Sequence, residues 1–229
     1  MDNDAADSLV SLLQGVQTFS NEVFPQNQAL FAELARGQSP HTLFITCADS
    51  RISPGMITQE GPGNLFVLRN IGNIVPAYGE MLGGVSAAIE YAVSAIKVAN
   101  IIVCGHSDCG AMKALLHPVE HGLAGMPTVS SWLRSAEAAL TATQALKPED
   151  DKQDVLRTLV EQNVLLQLAH LRTHPAVVAG IAQGRLTLQG WYYDIGHGSI
   201  WVLDEQSRRA MTVGEALTAL RPPLDRIGA

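Results

Sequence analysis

The sequence predicts an α/β fold: a mostly parallel central β-sheet flanked by helices, opened by N-terminal helices and closed by an antiparallel hairpin. Three observations predict it. Short apolar runs, "TLFITC" (42–47), "NLFVLRN" (64–70) and "NIIVCGH" (100–106), alternate with stretches of helical period. The runs are apolar nearly throughout instead of every second residue, the pattern of strands covered on both faces. Near the end, "RLTLQGWYYDI" and "SIWVLD" are joined by "GHG", a hairpin signal.

The elements follow in order. Residues 8–36 place Leu9, Leu12, Leu13, Val16, Phe24, Leu30, Phe31 and Leu34 at helical spacing, and Pro25 divides them into two helical segments. The strand at 64–70 follows the turn signal "GPG". "GGVSAAIEYAVSAIKV" (83–98) collects small and apolar residues on one helical face, and "CGAMKALL" begins a helix directly after the third strand. Helices are expected at about 128–146 and 151–173, the second carrying a wide apolar face from Val155 to Leu171. Pro175 opens a short helix that Gly184 closes. No Pro/Gly/Ser-rich linker interrupts the chain, so residues 1–229 read as a single domain. Within it lie a helical arm (about 8–36), a core (about 40–205) and a short tail.

Composition excludes several function classes. The net charge of −7 argues against nucleic acid or an anionic membrane as partner, since both reward clustered Lys and Arg. The longest uncharged apolar runs are far too short for a bilayer. The opening "MDNDAADSLV" is acidic and has no basic n-region, so no secretory signal is read. Three cysteines cannot all pair. A cytoplasmic chain with reduced thiols follows, in which cysteine more often serves metal or catalysis.

The three runs end in polar residues: Cys47-Ala48-Asp49-Ser50-Arg51, Arg69-Asn70, and His106-Ser107-Asp108-Cys109. Ligands bind at the carboxyl ends of parallel strands. If the first and third strands are neighbours, Cys47, His106 and Cys109 meet there. Two thiolates and an imidazole suit Zn²⁺, and three protein ligands leave a position open for chemistry. H-x-x-C alone is a weak pattern; C-x-D-x-R and H-x-x-C, each at a strand end, are far more specific. No further Cys or His sits at comparable spacing, which argues against a closed structural site. Cys104, inside "IIVCG", reads as a buried small hydrophobe. His41, His117, His121, His170, His174 and His197 read as surface or core residues. The acidic run at 148–154 reads as a solvated helix start, and the aromatics of "GWYYDI" as strand packing.

Together "CADSR", "RNIGNIVP", "GGVSAAIEYAV" and "CGHSDCGAM" resemble the β-class carbonic anhydrases, from about residue 24 to 205. The resemblance implies reversible hydration of CO₂ to bicarbonate and a proton, by attack of zinc-bound hydroxide. It implies one Zn²⁺ per chain on Cys47, His106 and Cys109, and a dyad of Asp49 and Arg51 that orients the hydroxide. It also implies a homodimer or multiple of dimers, with the N-terminal helices embracing the partner. Gln38, Phe66, Ile71 and Tyr91 fall where the water-open, plant-like group of the family contacts substrate. The local stretches also resemble the carbonic anhydrase encoded beside bacterial cyanases. Backbone N–H groups near Gly110 complete the expected substrate site.

Overall fold

The computed structural model describes residues 3–80, 82–146 and 152–220. The chain divides into two units, Met1–Ser39 and Pro40–Ala229.

In the first unit a helix, Asn3–Thr18, runs into a π-helical turn, Phe19–Val23, then Phe24–Gln26 and Gln28–Leu34. The division expected at Pro25 falls at Asn27 instead. The π-turn widens the spiral, so the N–H of Phe24 bonds back to Phe19 O and proline is accommodated at the start of the next turn. Asn27, at φ −120°, breaks the spiral, and its Nδ2 donates to Val23 O at 2.8 Å. Phe19, Phe24 and Phe31 pack together, with ring centroids 5.1 to 6.3 Å apart. Leu9, Leu12, Leu13 and Val16 are each more than half exposed.

In the second unit six strands form one sheet: β1 (Thr42–Cys47), β2 (Leu65–Asn70), β3 (Asn100–His106), β4 (Thr187–Asp194), β5 (Ser199–Leu203) and β6 (Ala210–Thr212). Their order is β2-β1-β3-β4-β5-β6. The first four run parallel, while β5 and β6 are antiparallel additions. The expected hairpin is present, but β4 also joins β3, so the antiparallel edge is β6. β1 is buried along its whole length. Leu43 and Ile45 join the main core, whereas Phe44 packs with Ile102 and Cys104 on the opposite face.

The helix Lys152–Leu171 lies across β3 and β4. It comes close because Gly105 and Gly190 face it: a Cβ on Gly105 would stand 2.7 Å from Val160, and one on Gly190 2.7 Å from Val164. Gly105→Ala is therefore expected to lower stability by about 1–3 kcal/mol, read by urea denaturation. The acidic run expected to begin this helix lies, at 148–151, outside the described residues.

Two other helices are less regular than their spacing predicts. The segment at 83–98 is Gly84–Glu90 followed by a π-turn, Tyr91–Ile96, ending at Lys97 with φ +66°. The segment at 128–146 is two helices, Pro127–Leu133 and Glu137–Leu146, joined through a 3₁₀ turn. Among the described residues no helix is long and apolar enough to cross a membrane.

His174 precedes the helix Pro175–Ala182 and is almost fully buried, its Nε2 donating to Pro76 O at 3.1 Å. Burial lowers its pKa below the ordinary histidine value, and neighbouring His170 adds to the effect. The unfolded chain then takes up a proton that the fold refuses. Stability should fall as pH drops below about 6.5, and melting temperatures should show a shallower fall in His174→Gln.

Candidate metal centre and active site

β1 and β3 are hydrogen-bonded neighbours, with Thr46 opposite Cys104, and Thr46 Oγ1 donates to Cys104 O at 3.0 Å. This register brings Cys47, the last residue of β1, level with the end of β3, where His106 stands. Asp108 turns the chain with φ +58°, and Cys109 caps the helix Gly110–Leu116. The Sγ atoms of Cys47 and Cys109 and a ring nitrogen of His106 all lie within 4.8 Å of one another, and all three residues are buried.

The donor set fits a zinc ion. His106 Nδ1 donates to Ser107 O at 2.8 Å, which leaves the Nε2 lone pair facing the cluster. Nε2 is buried and without a hydrogen-bond partner, a state it shares, among the described residues, only with Asn73 Nδ2. Hydrogen bonding from Cys109 draws Cys47 toward the thiolate, and that charge, with burial, pushes Cys109 up. The backbone N–H groups of Gly72 and Asp49 add to the lowering at Cys47. Such a cluster is built to hold negative sulfur.

Asp49 lies beside the cluster, its Oδ2 3.9 Å from His106 Nε2. Arg51 grips it twice, Nε to Oδ1 at 2.9 Å and Nη2 to Oδ2 at 2.7 Å. The hydrogen bonds from Arg51 hold the Asp49 carboxyl well below the usual carboxylate range. Arg51 is itself anchored from the other side: Nη1 donates to Asp108 Oδ2 at 3.0 Å and Nη2 to Asp108 O at 3.3 Å. Lys113 pairs with the free oxygen of Asp108. Arg69, at the end of β2, donates to the main-chain oxygens of Cys47 and Asp49.

A carbonic anhydrase family profile matches residues 42–200. The chain is 48% identical over 204 residues to a carbonic anhydrase of Pseudomonas aeruginosa, covering 89% of this chain and 91% of that one. It is also 48% identical over 200 residues to carbonic anhydrase 1 of Escherichia coli O157:H7, covering 86% and 89%. Among solved structures, the β-carbonic anhydrase CcaA matches 90% of this chain and 99% of its own, with TM-score 0.85 and 40% identity. The chain belongs to the β-class carbonic anhydrases. A Coccomyxa member in complex with acetazolamide also matches, at TM-score 0.74 and 31% identity, over 92% of this chain and 91% of that one.

The remaining expected residues of the enzyme are distributed unevenly. Phe66 on β2 and Tyr91 are in ring contact, centroids 6.1 Å apart. Ile71 follows β2 directly and is 43% exposed. Gly110 is exposed as the first residue of its helix. Gln38 belongs to the first unit. Sequence reasoning missed Asp108 and Arg69 as parts of the site. Asp108 had a usable signal: a charge between two ligands, at a turn. Cys104 is buried, and burial pushes its thiol up to about 12, as expected for a small hydrophobe in the core.

Proposed function

We propose that the enzyme hydrates CO₂ reversibly to bicarbonate and a proton, using one zinc ion held by Cys47, His106 and Cys109. The observation that carries this is the convergence of two sulfurs and an unpartnered imidazole nitrogen beside an ionised Asp49. A zinc ion in such a set supplies Lewis acidity that makes a water a nucleophile near neutral pH.

The chain's own groups do the rest. Asp49 Oδ2 accepts a hydrogen bond from the attacking water and so turns an oxygen lone pair toward CO₂. Arg51 keeps Asp49 ionised and fixes its aim. Because Arg51 engages both Asp49 oxygens, the carboxylate is held as an acceptor, which supports the water-open reading over one in which Asp49 fills the fourth metal position. Phe66, Ile71 and Tyr91 take the apolar substrate. The Gly110 N–H helps hold the bicarbonate formed.

Stopped-flow CO₂ hydration on protein of measured zinc content tests the proposal, with COS and CS₂ assayed alongside. Activity proportional to zinc supports it. Zinc-loaded protein that hydrates no CO₂ overturns it.

We also propose that the enzyme assembles as a homodimer or a multiple of dimers through its N-terminal helices. The support is the exposed apolar row Leu9, Leu12, Leu13 and Val16 on Asn3–Thr18. Solved β-carbonic anhydrases of Sordaria macrospora are described as tetrameric. Light scattering on the double variant Leu12→Glu, Leu13→Glu should show a smaller particle than wild type.

A further inference from the structure

The segment after β2, "IGNIVPAY" (71–78), has little secondary structure of its own, yet side chains from other elements hold its backbone along most of its length. Asn70 brackets Ile74, accepting from its N–H at 2.8 Å and donating to its oxygen at 2.9 Å. Trp132 Nε1, from the helix Pro127–Leu133, donates to Ile71 O at 2.8 Å. Asn163 Nδ2, from Lys152–Leu171, donates to Gly72 O at 3.0 Å. Gln167 accepts from Val75 N at 2.8 Å and donates to Asn163 Oδ1 at 2.7 Å.

Asn163 and Gln167 are fully buried on a helix whose other fully buried residues are apolar, Leu159, Val160, Val164, Leu168 and Leu171. Apolar residues would serve that face at less cost in desolvation. What these amides secure is the conformation of Gly72. It sits at φ +77°, with Asn73 next at φ +49°, both left-handed. A Cβ at Gly72 would press on Ala111 at 3.1 Å and Met112 at 3.2 Å, in the turn after Cys109.

The peptide between Ile71 and Gly72 is held at one end and directed at the other. Its oxygen accepts from Trp132, and its N–H, that of Gly72, lies two residues past Asn70, the strand partner of Cys47, with Gly72 itself packed against Ala111 and Met112 just after Cys109. Hydrogen bonds aligned through one peptide polarise each other. Two thiolates cancel the charge of a divalent cation, so an N–H that draws density from one sulfur leaves the metal the stronger acid.

We infer that Trp132 and Asn163 are positioning residues for the reaction: they fix the two peptides flanking Gly72, so that its N–H bonds the Cys47 sulfur and tempers the metal. Gln167 orients the Asn163 amide. The inference rests on the metal reading above and adds to it a relay of hydrogen bonds running from two helices to one ligand.

The test loads the full chain with cadmium-113 and, separately, with Co²⁺. In the cadmium-loaded wild type the Gly72 amide proton should show scalar coupling to the metal nucleus through the sulfur. Trp132→Phe, which keeps a ring but removes the donor, should weaken that coupling. It should also move the thiolate-to-cobalt absorption band to longer wavelength. kcat/KM should fall about 10-fold with zinc stoichiometry unchanged. Asn163→Asp, which removes the other donor with little change of shape, should act in the same direction and stands in if the tryptophan variant does not fold. Trp191→Phe removes an indole whose bond goes to Gln189 in its own strand, and should move neither signal. A metal-loaded wild type without Gly72 coupling overturns the relay alone, as does a cobalt band unmoved in the folded variants. A chain that takes up no metal overturns the metal reading and the relay with it.

Discussion

Replacing Asp49 with asparagine is expected to lower CO₂ hydration by about 10²- to 10⁴-fold while zinc stays near one per chain. Asparagine keeps the shape of the side chain but exchanges an ionised oxygen acceptor for an amide, so the reacting water loses the group that aims it. The architecture around it should survive. Arg51 would still be held by Asp108 at 3.0 and 3.3 Å, and Asp108 by Lys113. The defect should therefore lie in kcat, with an unchanged circular dichroism spectrum. Stopped-flow assays with metal analysis on the same sample decide the matter. Loss of zinc in the variant would instead make Asp49 a ligand of the resting enzyme.

Cys109→Ser should have a comparably large effect through a different route. Serine is nearly isosteric, and Cys109 makes no side-chain capping bond for it to replace, so the helix Gly110–Leu116 should form. A hydroxyl is a far poorer ligand for zinc than a thiolate, and with three protein ligands there is no reserve. Zinc content should fall to a small fraction of one per chain, and hydration should fall to background. The fold should remain, because Leu43, Ile45, Ile101 and Val103 on β1 and β3 are buried without any help from the metal. A serine variant with full zinc would place the metal elsewhere.

Much of this site was legible in the sequence, for identifiable reasons. Thiols and imidazoles are chemically distinctive, and apolar runs that end abruptly in such residues mark strand ends. What remained hidden acts through geometry that spacing does not encode. Trp132 and Asn163 read as ordinary helix residues, since nothing local says that they reach the peptides on either side of Gly72. Asp108 was visible, but its bond to Arg51 depends on a turn with positive φ. Pro25 misled because a π-turn upstream removed the clash that normally ends a helix there. β6 and the helix Val213–Leu220 were passed over, since "AMT" is too short to show alternation. They attach to β5, which the sequence did identify.

The pairing of β1 with β3 has a consequence in time. His106 and Cys109 share one local turn and can form as soon as that turn does, whereas Cys47 belongs to a strand made much earlier in the chain. Its sulfur reaches them only after a crossover is closed and two parallel strands have zipped, among the slower events in folding. A metal met during synthesis would find two ligands first and the third only later. The rate of tight metal capture in a refolding experiment should therefore clock the joining of β1 to β3.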